Sequence, residues 1–181
     1  MRDVLDFLSK RFGMNIDVND RAFAAAELNA FSDTPLGKTI PPMNNVRLAV
    51  ILQKVLSRVP LEDGATFLVR DRHIEVTTNA AVRAELGLAK GERLLPLVQS
   101  DFDKVPLEKA LKEMAQSTGM NIVLDVRSAE KAKLAVSASF TNVPVDTAVK
   151  VLADMAELRP VRLGNVLYVT SAENAERLKK P

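Results

Sequence analysis

Apolar residues recur over 105–118 at the spacing of one helix face. Leu107, Ala110, Leu111, Met114 and Ala115 fall at i, i+3, i+4, i+7 and i+8, a single apolar stripe. Pro106 suits the first helical position, where a missing N–H costs nothing, and Glu108 puts a negative charge in the first turn. Gly119 follows as a stop that takes positive φ cheaply, and residues 120–124 read as a buried strand. The same pattern opens the chain. A helix is predicted over 2–12, with Val4, Leu5, Leu8 and Phe12 in its stripe and Gly13 as its stop, then a strand over 14–18. Gly13-Met14-Asn15-Ile16 repeats Gly119-Met120-Asn121-Ile122 letter for letter, Leu5 matches Leu111 and Leu8 matches Met114. A repeat of this kind organises the reading of everything between its copies.

A second helix follows in each copy. Leu48, Ile51, Leu52, Val55 and Leu56 predict one over 46–58, ended by Pro60. Val145, Ala148, Val149, Leu152 and Ala156 predict another, with Pro144 at its first position and Asp146 in its first turn. Alternation marks the strands. Phe67 and Val69 in 65–69, with Ile74 and Val76 in 73–77, read as a hairpin across Asp71-Arg72. Residues 161–163 and 166–169 make another around Gly164-Asn165. Strands are also expected over 94–102 and over 134–140, the latter with Val136, Ala138 and Phe140 on one face. The Ala-rich stretch 20–31 reads as an extra helix with Asp20 as N-cap, where the second copy has only 126–133. Ser32-Asp33-Thr34-Pro35 is a turn, and 38–43 is an edge strand limited by Pro41-Pro42. A short helix over 79–86, closed by Gly87, and a polar turn at Lys90-Gly91-Glu92 join the copies. Thr170-x-x-Glu173 is a capping box for a terminal helix through Leu178.

The expected organisation is thus a first repeat over 1–79, lacking its first strand and carrying the extra helix at about 20–31. A helical connector over 80–93, a second repeat over 94–171 and a C-terminal helical tail over 172–181 complete it. The fold class is α+β: two tandem small sandwiches, each with two helices packed on short mixed β-sheets. Met1 stands where Leu107 stands in the second copy, so the sequence reads as a piece of a longer protein.

Four signatures carry a resemblance. Val-Pro-Leu-x-x-Ala-Leu (105–111), Gly-Met-Asn-Ile-Val (119–123), Val-Pro-Val-Asp-x-Ala-Val (143–149) and Asn-Val-Leu-Tyr-Val (165–169) are similar to the short N-terminal domain shared by secretins and TonB-dependent receptors. The resemblance covers nearly all of 94–171. It covers 1–78 less well, since the first strand is absent and Arg47 replaces the second helix-start proline. The signatures are packing and capping residues, so they bear on fold more than on activity. The resemblance implies a periplasmic or cell-envelope, non-catalytic domain that contacts partner proteins or neighbouring subunits. It offers no catalytic residues to carry over.

Composition narrows the functional classes. Of 181 residues 47% are hydrophobic, enough for a real core. Net charge is +2, from 25 basic and 23 acidic residues, unlike the clustered basic surface of a nucleic-acid binder. There is no cysteine, which excludes disulfides and thiolate metal sites. No apolar run reaches the ~18 residues of a membrane span, so no direct membrane insertion is expected.

The candidate chemistry is sparse. His73, the single histidine, stands near Arg70, Asp71 and Arg72 with no evident nucleophile or orienting partner, so it reads as an exposed turn residue. Asp101 and Asp103 flank Phe102 without calcium-loop spacing and read as a solvated strand face. Gly87-Leu-Ala-Lys-Gly91 lacks the phosphate-loop pattern and the RNA-clamping Gly-x-x-Gly. Lys54, Arg58, Arg70 and Arg72 could form a basic patch but are interleaved with acids. Met14, Met114, Met120 and Met155 read as core gap-fillers. No catalytic, cofactor-binding or metal-binding residue is assigned, and no cofactor is expected. The best signal is open sheet edges at 94–102 or 38–43, which could accept a partner strand. The leading expectation is a protein-interaction or assembly module with a protein partner or self-association, and no nucleic acid. The alternative is a small-ligand or peptide-sensing domain that binds between the repeats; an enzyme is the second rival and a nucleic-acid module a further one, and the expectation is that the chain is not an enzyme.

Overall fold

The computed structural model of the chain describes residues 1–35, 46–89 and 92–179, in two units, Met1–Leu94 and Leu95–Pro181. It is α+β, with short mixed sheets and no barrel. The expected strand at 38–43 and the Lys90-Gly91 half of the polar turn lie outside the described residues.

The first unit runs α1 (Arg2–Phe12), β1 (Asn15–Val18), α2 (Asp20–Ala25), a 3₁₀ turn (Phe31–Asp33), α3 (Leu48–Leu56), β2 (Ala65–Val69), β3 (His73–Thr78) and α4 (Asn79–Glu85). Its sheet has the order β1-β3-β2, with β1 parallel and β2 antiparallel to β3. Leu5 and Leu8 of α1, Leu52 and Leu56 of α3, and Phe67, Ile74 and Val76 of the sheet form one buried cluster. Gly13 ends α1 in the left-handed conformation, φ 65°, as its place after the stripe predicts. Phe12 is not in the stripe. It is the last residue of α1 and is exposed, whereas Leu5 and Leu8 are buried.

The extra helix is shorter than expected and is capped one residue earlier. Asn19, not Asp20, is the N-cap: its Oδ1 accepts from the Ala22 N–H at 3.0 Å. The helix stops at Ala25, Glu27 takes φ 62°, and Phe31 returns in the 3₁₀ turn to stack on Phe23 at 4.0 Å. That ring pair, both members buried, closes the loop over the core.

The second unit runs β4 (Leu97–Pro106), α5 (Leu107–Thr118), β5 (Asn121–Leu124), a 3₁₀ turn (Val126–Ser128), α6 (Ala129–Ala132), β6 (Ala135–Pro144), α7 (Val145–Met155), β7 (Leu158–Leu163), β8 (Val166–Ser171) and α8 (Ala172–Lys179). β4 and β6 make an antiparallel two-stranded sheet, and β5-β8-β7 make a three-stranded one. Strand order and directions in the latter match those of β1-β3-β2. Helix α5 lies against β4 and β5, α7 lies against β6 and β7, and the two helices touch each other. A single apolar cluster results, with Val98, Phe102, Val136 and Phe140 from one sheet, Leu158, Leu167 and Val169 from the other, and Leu107, Met114, Val149 and Leu152 from the helices.

Both long strands run straight into a helix. Lys104 (φ 51°) and Asn142 (φ 57°) each precede a Val-Pro step, and the β4–β6 register shifts at both places. These are β-bulges. The Lys104 N–H donates to Ser137 Oγ at 2.9 Å, and Gln99 Nε2 donates to Asn142 Oδ1 at 3.2 Å. Pro106 and Pro144 are therefore N-caps with ψ 136°, not first helical residues. No loop separates strand from helix, so each proline ends its strand as it begins its helix. The capping box at the C-terminus is also displaced: Ser171 Oγ, not Thr170, accepts from the Asn174 N–H at 3.2 Å. Thr170 is buried and engaged elsewhere.

Two substitutions separate packing from backbone effects. Leu152→Ala, at a fully buried position in the shared cluster, is expected to cost about 2–5 kcal/mol. Gly119→Ala meets no atom within 4 Å but must hold φ 69°, and is expected to cost about 1 kcal/mol from backbone strain alone. Urea unfolding of the full chain measures both.

Candidate functional site

The most buried polar constellation lies where β5 ends. The Asp125 N–H donates to the Val169 carbonyl at 2.8 Å, which continues the β5–β8 pairing one residue further. Asp125 is 3% exposed. Its Oδ1 accepts from the Arg127 N–H and from Arg127 Nε, both at 3.0 Å, and its Oδ2 accepts from Arg127 Nη2 at 2.7 Å and Thr170 Oγ1 at 2.6 Å. Thr170 Oγ1 in turn accepts from Asn174 Nδ2 at 3.0 Å, and Asn174 Oδ1 accepts from Arg177 Nη2 at 2.7 Å. Asp125, Arg127, Asn174 and Arg177, with Ser128, Ser171 and Glu173, line a cavity of about 250 Å³.

Chemically this is a closed network. The Arg127 guanidinium, and then the Thr170 hydroxyl, hold the Asp125 carboxyl far below the usual carboxylate range against the opposing effect of burial. Asp125 and Tyr168 together raise Arg127 above its ordinary value. An ionised carboxylate with donors on both oxygens is a poor base and a poor nucleophile. What it does is tie the end of β5, strand β8 and helix α8 together.

The first unit has a counterpart with different residues. The Asn19 N–H donates to the Val76 carbonyl at 2.9 Å, as Asp125 does to Val169. Asn19 Nδ2 donates to Glu75 Oε1 at 2.7 Å, Arg70 Nε donates to Glu75 Oε2 at 2.7 Å, and the Arg70 fork binds both Glu85 oxygens at 2.7 and 2.8 Å. Burial works against ionisation of Glu75, but the Arg70 and Asn19 hydrogen bonds outweigh it and leave the group below its ordinary value. Arg70 lowers Glu85 likewise. Arg83, buried on α4, pairs with Asp63. Thr77 stands where Thr170 stands, yet its buried Oγ1 has no hydrogen-bond partner.

The residues singled out by sequence distribute as follows. His73 is half-buried at the start of β3 and lines an open groove of about 350 Å³ with Asp17, Asp20 and Glu75. It is thus less exposed than a turn residue, because pairing with Asn15 of β1 places it within the sheet. Asp101 and Asp103 are exposed on β4. Gly87 takes φ 68° just after α4, as a helix stop does. Arg70 is committed to Glu75 and Glu85, Arg72 sits beside Asp71 at 3.6 Å, and Lys54 lies exposed on α3, so the basic residues do not converge. Met114 is fully buried and Met120 packs on the core, whereas Met14, which follows the end of α1, is exposed, and so is Met155, which shares the exposed face of α7 with Val151. Among the described residues no group of three or more His, Asp or Glu side chains could hold a metal ion, and no helix is long and apolar enough to cross a membrane.

No family model and no curated protein matches the chain.

Sequence reasoning missed the Asp125–Thr170–Asn174 network. The available signal was an Asx residue directly after each four-residue strand, Asn19 and Asp125, which marks a cap wherever a strand passes into a helical turn. Two predictions follow from the contrast between the units. Thr170→Val leaves Asp125 and Asn174 each short of a partner and is expected to cost about 1–3 kcal/mol, while Thr77→Val removes an unsatisfied hydroxyl and is expected to be neutral or stabilising. Thermal and urea unfolding of the two variants compare them. Asp125, Glu75 and Glu85 are all more acidic folded than unfolded, so their stabilisation is present above the ordinary carboxylate range and is lost as pH falls below about 4. Asp125→Asn should flatten the acid limb of a stability–pH curve and leave its neutral limb parallel to that of the parent chain.

Proposed function

We propose that this chain is a non-catalytic protein-interaction or assembly module of a bacterial envelope protein, made of two tandem copies of a domain similar to the short N-terminal domain of secretins and TonB-dependent receptors. The letter-for-letter Gly-Met-Asn-Ile repeat and the common order of β1-β3-β2 and β5-β8-β7 support the tandem reading. The observation that carries the functional reading is the abundance of open strand edges. Among the described residues β1, β2, β5 and β7 each have a strand on one side only, and so do β4 and β6. The edges differ in how they are guarded. Bulges twist β4 and β6, and Pro160 lies within β7. The short strands β1, β2 and β5 carry neither device. They are the edges best suited to accept a partner strand. The polar groups support the same reading from the other side, because their donors and acceptors are spent on one another.

A photo-crosslinking residue placed at Asn15 or Asn121, both exposed on these edges, is expected to give protein adducts in bacterial envelope extracts; one at Asp71, in the β2–β3 turn, is expected to give none. A chain that gives no adduct from either edge and does not associate with itself would sink the proposal.

A further inference from the structure

We infer that the cavity of about 250 Å³ between the end of β5 and the start of α8 binds a small oxyanion, a carboxylate or a phosphate group. The inference goes beyond the interaction-module reading and does not depend on it. Ser128 is the observation that points to a ligand. It stands at the N-cap of α6 and is 8% exposed, yet its hydroxyl makes no capping hydrogen bond. No other protein group among the described residues bonds to that hydroxyl. Thr77 Oγ1 is unpaired too, but it is sealed in, whereas Ser128 borders the cavity. A buried hydroxyl without a partner costs free energy unless something in the space beside it takes the bond.

The rest of the wall decides the chemistry of that partner. Asp125, Thr170 and Asn174 are spent on one another and on Arg127, and Asp125 balances the Arg127 charge. Arg177 enters their network through Nη2 alone, which donates to Asn174 Oδ1 at 2.7 Å. Its Nε and Nη1 are uncommitted among the described residues. Ser171 Oγ accepts from the Asn174 N–H and keeps its own proton to give. The unspent groups are thus two hydroxyls and a guanidinium, a set of donors. Glu173 is the one acid on the wall with unspent oxygens. It lies four residues before Arg177 on α8, the spacing at which such side chains pair, but no ion pair joins the two. It is exposed, so it opposes an anion from the rim without closing the cavity. A guanidinium beside hydroxyls is matched by a carboxylate or a phosphate, whose oxygens accept from several donors at once.

Amide NMR of the full chain at neutral pH tests the assignment. Sodium acetate and sodium phosphate are titrated separately, each against sodium chloride at matched ionic strength. Either anion is expected to shift the Ser128, Ser171 and Glu173 amides saturably and to leave those of the first unit unmoved. Tighter binding of acetate marks a carboxylate as the natural group, tighter binding of phosphate marks a phosphate, and equal affinities support a site that accepts both. Arg177→Gln should weaken binding about tenfold and Ser128→Ala roughly threefold. Glu173→Gln should tighten it, because a repelling charge is removed. Glu173 has no bond to the network, so a damaged fold cannot imitate that gain. Lys179→Gln, in the last turn of α8 and paired with Glu176, leaves binding unchanged. Shifts that chloride reproduces, an affinity indifferent to both Arg177→Gln and Ser128→Ala, or weaker binding by Glu173→Gln overturns the inference. The strand-edge crosslinks are read separately, so its failure leaves the interaction module standing.

Discussion

Helices α5 and α7 hold the second unit together because one apolar stripe on each must satisfy two sheets. A helix packed on a single sheet needs a narrow contact face. Here Leu107, Ala110, Leu111 and Met114 on α5, and Val145, Ala148, Val149, Leu152 and Ala153 on α7, form faces wide enough to reach both. The small residues Ala110, Ala148 and Ala153 let the elements approach, and the large ones fill the space between. The geometry of the strand ends follows from this constraint. A strand that must hand its chain directly to a buried helix has no room for a loop, so the turn is made inside the ladder by Lys104 and Asn142, with a proline as the cap.

Much of this was legible in the amino-acid pattern, and what was not has physical causes. The helices were readable because their stripes are regular and their stops, Gly13 and Gly119, do what glycine does after a stripe. The hairpins were readable from alternation and, at Gly164-Asn165, from turn chemistry. The caps were misplaced by one residue at Asn19, Pro106, Pro144 and Ser171, because a cap is defined by the backbone conformation of the residue before the helix. Neighbouring residue types here fit either position. The polar network escaped notice for a different reason. Thr170 fits a capping box in sequence, but three-dimensional pairing of β8 with β5 brings it to Asp125, 45 residues away.

The three-stranded sheets of the two units share strand order and directions but differ in their electrostatics. At the end of the short parallel strand, the first uses a neutral Asn19 and places charge on the sheet through Glu75 and Arg70. The second buries the charge at Asp125 and leaves the sheet apolar. Thr77 occupies the sheet position of Thr170 without its partners, since Asn19 turns its amide to Glu75 and Ala81 stands where Asn174 would donate. The unsatisfied hydroxyl is thus explained by its neighbours, with no ligand needed. Helices α4 and α8, which sequence alone assigns to a connector and a tail, follow the last strand of each unit in the same way and complete its outer side.

The bulges at Lys104 and Asn142 bear on how far any assembly could propagate. A flat ribbon with two free sides is a template on which copies stack without limit. Twisting both strands of β4–β6 spoils that template, and guarding β7 with Pro160 spoils another. Growth by sheet extension is then confined to the short edges.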